Sequence, residues 1–240
     1  MAWNAPLIGS VTTVASGNLT LTEPASATQN DLLIACIAMK DLAGFTLPSG
    51  WAAISEPYTS AGAAQIAGYA FAYLVRGASA PSYAFTRSGG GVATGRVLAY
   101  RCTAGVPTYE TGTYAMVTGP STLAGGVAVS RSGSLLVAMH ASADAVNVSS
   151  FDAAALATVA SGATDTSTAP TSNTWIERAD TTTTTGFDTA LAIADALASG
   201  TGSTGNISVS NTIDEFLGHC LAVGVFYEQV RARSFGVIIG

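Results

Sequence analysis

Two stretches of this chain read alike: "NDLLIACIAMKDLAGFTLPSGW" (Asn30–Trp51) and "GSLLVAMHAS" (Gly133–Ser142). Each places a small polar residue before Leu-Leu and then continues as an aliphatic run. A short apolar run that is bounded by turn residues is typical of a buried strand. The recurrence predicts that one structural unit occurs twice in the chain.

Further landmarks recur at nearly equal spacing. Trp51 and Tyr83 are 32 residues apart (83 − 51), and so are Trp175 and Ile207 (207 − 175). Leu98, in the closing strand of the first copy, is matched to Leu221 in the second. The predicted core landmarks are Leu32, Leu33, Trp51 and Tyr83 in the first copy and Leu135, Leu136, Trp175 and Ile207 in the second.

These landmarks define pseudo-repeats over about residues 28–103 and 130–228. The second copy is longer because of residues 143–172, which we interpret as an insertion that is part strand and part loop. One amphipathic sheet cannot bury its own face, so we expect the sheets of the two copies to pack against each other. The predicted fold is an all-β antiparallel sandwich, with one domain over residues 1–228 and a C-terminal arm over 229–240.

Alternation of side chains supports strands between these landmarks. In "YAFAYLVR" (Tyr69–Arg76) large residues alternate mostly with small ones, as on a pleated sheet. "TALAIADALA" (Thr189–Ala198) alternates as well; its Ala and Leu content would also suit a helix, but its position in the repeat favours a strand. Asp195 interrupts the apolar face of this segment, and a buried Asp195 would need a partner such as an arginine.

Composition restricts the possible partners. Only 10% of the 240 residues are charged, and Lys40 is the one lysine, whereas about a quarter of an average domain is charged. A surface of Thr, Ser, Gly and Ala fits a protein that packs against copies of itself or a partner. The net charge of −6 argues against nucleic-acid binding. The longest apolar run, Leu32–Met39, is shorter than the roughly 20 residues of a membrane span, so we predict no membrane partner.

No motif in the sequence predicts catalysis or a cofactor. His140 and His219 are not part of a metal-ligand pattern, and Cys36, Cys102 and Cys220 are interpreted as small buried hydrophobes. Paired acids remain as an alternative route to glycoside hydrolysis. The acids considered for it are Asp195, the adjacent Asp214 and Glu215, and Glu177 and Asp180, which flank Arg178.

The ends of the chain are the predicted contacts between subunits. The segment "RARSFGVIIG" lies beyond the repeat and has an apolar, β-branched end that suits strand addition to a neighbouring subunit. The alternative is that it pairs with an edge of its own sheet. The predicted contact residues are Trp3, Arg231, Arg233, Phe235, Val237, Ile238 and Ile239.

The first copy resembles a group of tailed-bacteriophage and prophage virion proteins. Their recurring pattern is a GDLLV-type strand, a P-x-G-W turn, a hairpin with an arginine and a Y-x-F-T segment, and an A-Y-R-G strand. The matching segments are Asp31–Leu33, Pro48–Trp51, Arg76, Tyr83–Thr86 and Ala99–Arg101. Asn30 stands where Gly is usual and Cys102 replaces the final Gly. The resemblance covers residues 28–103 well and the second half only weakly.

The resemblance implies a jelly-roll-like β-sandwich in a virion rather than a catalytic site. We therefore expect a non-enzymatic structural protein, made in a host cytoplasm, that decorates or cements a phage capsid. Its expected partners are the major capsid protein or other virion proteins, and its own copies, with a trimer as the expected oligomer. The alternatives are a tail fibre, tip or baseplate component that contacts the host surface, and a carbohydrate-binding sandwich.

Overall fold

The computed structural model of the chain describes residues 3–40, 44–62, 65–103, 105–118, 121–142, 148–153, 159–160, 173–182, 189–211 and 218–230. Within these ranges the regular structure is entirely β, as the sequence predicts. The strands are β1 Leu7–Ile8, β2 Thr12–Val14, β3 Leu19–Thr20, β4 Leu32–Met39, β5 Phe45–Thr46, β6 Ala52–Gly62, β7 Gln65–Val75, β8 Ala84–Arg87, β9 Ala93–Tyr100, β10 Gly105–Thr118, β11 Ser121–Ala124, β12 Ala128–Val129, β13 Leu135–Ser142, β14 Val148–Ala153, β15 Val159–Ala160, β16 Asn173–Thr174, β17 Ile176–Thr182, β18 Ala190–Leu197, β19 Gly202–Ser203, β20 Ile207–Asn211 and β21 Gly218–Val230. The segment that also suited a helix is strand β18.

Two larger antiparallel sheets form the centre of the molecule. The first central sheet has the strand order β1-β9-β4-β7-β6. Both β1 and β2 pair with β9, β1 near its end and β2 near its start. The second central sheet has the order β10-β21-β13-β18-β17. The predicted buried strands β4 and β13 are each the middle strand of their sheet, flanked on both sides by long partners.

Each central sheet is accompanied by a smaller one. The first outer sheet has the order β3-β8-β5, and the second outer sheet has the order β11-β20-β14. Two short pairs, β12 with β19 and β15 with β16, complete the described strands. The strand orders of the two halves correspond element by element, since β9-β4-β7-β6 matches β21-β13-β18-β17 and β3-β8-β5 matches β11-β20-β14.

Strand register shows which residues are equivalent in the two halves. Leu32 lies opposite Tyr100, and Leu135 lies opposite Phe226. Tyr100 is therefore equivalent to Phe226, and two residues earlier the equivalent of Leu98 is Gly224 rather than Leu221. The predicted match of Leu98 to Leu221 identified the right strands with a register error of three residues, because a glycine occupies the place of a leucine.

Apolar side chains fill three layers rather than the single layer expected from two sheets. One cluster lies between the central sheets and contains Leu32, Leu98 and Leu135. The other two lie between each central sheet and its outer sheet, around Trp51 and Phe85 in the first half and around Trp175, Val209 and their neighbours in the second. Strands β4 and β13 are thus buried on both faces, which is why they are continuously apolar instead of alternating.

All the predicted core landmarks are buried. The leucine, isoleucine and Trp175 side chains are fully inaccessible, while Trp51 and Tyr83 are at most 9% exposed. Trp51 packs edge-on against Tyr83 and Phe85, and its indole N–H donates to the carbonyl of Ser82 at 2.9 Å. Trp51, which directly precedes β6, therefore packs the start of that strand against β8 of the first outer sheet.

The predicted insertion and the predicted C-terminal arm are described only in part. Within the predicted insertion 143–172, β14 joins the second outer sheet by pairing with β20, in the position that β5 has in the first half. Of the residues assigned to the arm, 229 and 230 belong to β21. Its contact residues Arg231, Arg233, Phe235, Val237, Ile238 and Ile239 lie outside the described residues.

The residue two positions before the first leucine has a left-handed backbone in both halves. Asn30 has φ of 70° and Gly133 has φ of 79°. The N–H of Asn30 donates to the carbonyl of Arg76 at 2.8 Å, and the N–H of Gly133 donates to that of Ala198 at 2.6 Å. This conformation favours glycine, with asparagine as one of the better-tolerated alternatives. The geometry explains why the resembling pattern has Gly where this chain has Asn30.

Substitutions at these two equivalent positions should have opposite effects. Asn30→Gly should leave the free energy of unfolding unchanged or slightly higher, because glycine adopts the left-handed backbone without strain. Gly133→Ala should lower it by about 1–2 kcal/mol, because it adds a Cβ at a positive φ. Denaturant unfolding of both variants would measure this. A destabilising Asn30→Gly together with a neutral Gly133→Ala would contradict the assignment.

Candidate functional site

The most buried charges of the described chain form one ion pair in the second half. Arg178 in β17 donates from Nε to Asp195 Oδ2 at 2.6 Å and from Nη2 to Oδ1 at 2.9 Å. Both side chains are fully inaccessible to solvent. This two-point contact fits the planar guanidinium to the carboxylate and supplies the arginine partner that Asp195 was expected to need.

A β-bulge places Arg178 beside Asp195. The register of β17 against β18 shifts between Glu177 and Ala179, so Arg178 is the extra residue. The first half has the same bulge, since the register of β6 against β7 shifts between Ala53 and Ser55, with Ile54 as the extra residue. Ile54 and Arg178 are therefore equivalent positions in the two halves.

The partner position is equivalent as well. Asp195 pairs with Val137 across the ladder, and Tyr73 pairs with Ile34 at the corresponding register. The pair Ile54 and Tyr73 of the first half is thus replaced by Arg178 and Asp195 in the second. The sequence contains one signal for this site, which is the acid in an apolar strand. It contains no signal for the bulge that places Arg178 beside that acid.

Tyr100 of the first central sheet lies next to this ion pair. Burial raises the pKa of Tyr100, the charge of Asp195 raises it further, and Arg178 lowers it. Its hydroxyl is buried and makes no hydrogen bond of standard geometry within the described chain. Burial also raises the pKa of Asp195 to about 6, while its hydrogen bonds with Arg178, the charge of Arg178 and the Tyr100 hydroxyl lower it. Both carboxylate oxygens are engaged by Arg178, so this acid is placed to hold strands together rather than to reach a substrate.

Removing one partner of the ion pair should cost much more than replacing both. Asp195→Asn leaves the guanidinium of Arg178 buried without a counter-charge and should lower the free energy of unfolding by about 3–5 kcal/mol. The double variant Arg178→Ile/Asp195→Tyr installs the residues of the equivalent first-half positions and should cost clearly less than Asp195→Asn alone, because no charge stays buried.

Denaturant unfolding at about pH 8, where the carboxyl is ionised, would measure both variants. Glu23→Gln is the control, because it removes one partner of a more exposed ion pair, with Arg76, and should change stability by about 1 kcal/mol or less. A double variant that is at least as unstable as Asp195→Asn would show that the first-half pair cannot substitute for the charges.

A second charged network joins the start of β4 to the end of β9. Asp31 is 1% exposed and accepts from Arg101 at 2.7 and 2.8 Å and from the N–H of Thr28 at 2.7 Å. Its own carbonyl accepts from the N–H of Arg76 at 2.8 Å. The equivalent residue in the second half is Ser134, which is buried and has no such arginine among the described residues.

Trp3 is not available to a neighbouring subunit, contrary to the prediction. It is 3% exposed, forms an isolated bridge with Cys102 and belongs to the layer between the central sheets. Its indole N–H is buried without a hydrogen-bond partner in the described chain. The misplacement arose because a tryptophan near the N-terminus has no local pattern that reveals a bridge about a hundred residues away.

The cysteines are free and buried, as expected of small hydrophobes. Cys36 lies between the central sheets, with its Sγ at 3.7 Å from the carbonyl oxygen of His140 in the other sheet. Burial raises the pKa of Cys36, and burial also raises the pKa of Cys102 to about 11. These thiols therefore stay protonated near neutral pH and are poor nucleophiles.

Of the other acids considered, Glu177 and Asp180 lie in β17 opposite Ala194 and Ala192, on either side of the bulge. Asp214 and Glu215 lie outside the described residues, and Asp195 is occupied by Arg178. Asp180 is exposed as a whole residue. Its carboxyl group is nevertheless partly desolvated by its surroundings, which raises its pKa. Within the described ranges no group of three His, Cys, Asp or Glu residues could hold a metal ion. No described helix is long and apolar enough to cross a membrane.

Comparison with known proteins gives no relative from which a site could be transferred. No protein-family model, no curated protein and no solved structure matches this chain.

Proposed function

We propose that this chain is a non-enzymatic virion structural protein that decorates the shell of a tailed bacteriophage. One observation carries the proposal: the residues of the resembling pattern contact one another and serve the fold. Asp31, Arg76 and Arg101 meet at the start of β4, and Trp51 packs on Tyr83 and Phe85. A pattern with this role marks an architecture, which agrees with the structural class that the resemblance implies.

The strand order supports a jelly-roll-like sandwich, which is the fold that the resemblance implies for such a protein. In the first half β1, β9, β4, β7 and β6 lie in one sheet while β3, β8 and β5 lie in the other, so the chain crosses repeatedly between two sheets. Repeated crossing between two sheets is also a feature of the paired Greek keys in a jelly roll. The second half follows the same scheme with β10, β21, β13, β18 and β17 against β11, β20 and β14.

The charges available for recognition are few. The whole chain has only 24 charged residues. Among the described residues, three ion pairs join Glu23 with Arg76, Asp31 with Arg101, and Arg178 with Asp195. Attachment would rest on many copies, each with a modest contact to the major capsid protein and to its neighbours. Ligands that bind only the assembled state stabilise it by mass action, which is how such a coat would strengthen a shell. A trimer remains the proposed oligomer, because it would match a local threefold axis.

Copy number per particle tests the proposed role. Intact particles purified on a density gradient should contain this chain in a ratio to the major capsid protein that corresponds to sites over the whole shell. Quantitative mass spectrometry of both proteins measures the ratio. A ratio that fits only a tail or neck would support the tail component instead, and absence from particles would contradict both structural roles.

Deletion of residues 231–240 tests the predicted arm. The truncated chain should bind particles more weakly, because the proposed strand addition is lost, while its unfolding midpoint stays that of the full chain. Co-sedimentation with particles and denaturant unfolding measure the two effects. Arg231→Ala/Arg233→Ala is the matched variant that keeps the apolar end. Equal binding of the truncated and full chains would show that the arm is not a contact.

A further inference from the structure

A chain with two equivalent central sheets has a pairing problem. Each sheet presents a large apolar face, and the native fold needs the first sheet against the second. Since the two sheets share strand order and register, two copies of the chain could instead place like sheets together, first on first and second on second. Specific folding therefore requires contacts that distinguish the native pairing from these alternatives.

One set of cross-sheet contacts in the native pairing is aromatic and carries no charge. Phe226 of the second sheet lies edge-on to Tyr73 of the first, with ring centroids 5.5 Å apart. Tyr73 also stacks on Tyr109 at 4.6 Å. A Cβ at Gly224 would come within 2.8 Å of the Phe226 ring and 3.3 Å of Ile54, so the absence of a side chain there leaves room for both.

The equivalent set on the other side is polar. Tyr100 occupies the position of Phe226, while Arg178 and Asp195 occupy those of Ile54 and Tyr73. Native pairing thus sets the tyrosine of this position against the ion pair, and the phenylalanine of the equivalent position against Tyr73 and Tyr109.

Pairing of like sheets would reverse this match. Second on second would set Phe226 against Asp195 and Arg178, which gives the buried carboxylate a phenyl ring in place of a hydroxyl. First on first would set Tyr100 against Ile54 and Tyr73, which takes its hydroxyl away from the ion pair. Both like-sheet pairings thus remove a polar neighbour from the buried ion pair or from the tyrosine hydroxyl, which is unfavourable.

We propose that Tyr100 and the Arg178–Asp195 pair form a pairing determinant, which selects the first central sheet against the second and disfavours association of like sheets between two copies of the chain. The determinant consists of one hydroxyl on the first sheet and one ion pair on the second. Its function is specificity of assembly, and it does not depend on the role proposed above for the virion.

The test exchanges the hydroxyl between the sheets and keeps the composition of the protein. In the double variant Tyr100→Phe/Phe226→Tyr, native pairing sets the new phenylalanine against the ion pair and the new tyrosine against Ile54 and Tyr73. Pairing of like sheets now sets the tyrosine against the ion pair and the phenylalanine against Ile54 and Tyr73. After unfolding in guanidinium and refolding by dilution at several protein concentrations, the full-length wild type should give the single species of the native protein. The double variant should shift to a species of twice the native mass, in a proportion that rises with concentration.

Size-exclusion chromatography with light scattering measures these masses, and far-UV circular dichroism checks that the larger species keeps its β-structure. The single variants Tyr100→Phe and Phe226→Tyr are the controls, because each mismatches only one side and should give a smaller shift. A double variant that refolds to the same species as the wild type at every concentration would overturn the proposal.

If the exchanged tyrosine prevents folding, Arg178→Ile/Asp195→Tyr in the wild-type background provides a second measurement. This variant removes the polar partner from the second sheet and should refold with more of the doubled species than the Glu23→Gln/Arg76→Gln variant, which removes an ion pair away from the sheet interface. Equal refolding of these two variants would also overturn the proposal.

Discussion

The face-to-face packing of the two central sheets is the contact on which the rest of the structure depends. It buries one face of each sheet, and only the outer sheets are then needed to bury the other. Each fully buried leucine or isoleucine in these layers contributes about 1.5–3 kcal/mol relative to exposure. Because β4 and β13 are inaccessible on both faces, any polar group on them must find a partner within the protein.

Much of this arrangement could be predicted from the sequence because burial on both faces leaves a strong signal. The runs that begin at Leu32 and Leu135 identified the middle strands, and Trp51 and Trp175 identified equivalent corners of the two halves. The outer sheets could not be predicted as separate layers, because strands such as β3 and β5 have only two residues and no periodicity. Their position is set by long-range pairing instead.

The candidate site was predictable to a lesser extent. Asp195 is conspicuous in an apolar strand, and the need for an arginine follows from the cost of burying a charge. The identity of that arginine depends on a bulge at Arg178, and a bulge changes which face a side chain occupies without any sequence signal of its own. The error at Leu98 has another origin, since its equivalent is a glycine, Gly224, where a Cβ would crowd Phe226 and Ile54.

The two halves place their ion pairs at different depths, and the depth decides how much of each charge remains hydrated. In the first half Asp31 binds Arg101, whose side chain is 44% exposed, so part of that charge remains hydrated. In the second half Ser134 occupies the place of Asp31, and the ion pair lies in the inter-sheet layer with no exposure at all.

An arginine cannot lose its charge there, so Arg178 requires Asp195 in its ionised form at close range. Such a pair adds little to stability compared with apolar side chains of similar volume. In the proposed pairing determinant, its contribution is to favour one arrangement of neighbours over the others. In a duplicated fold, where apolar faces alone are nearly interchangeable, that discrimination is a physical reason for a charge pair to be placed in the core.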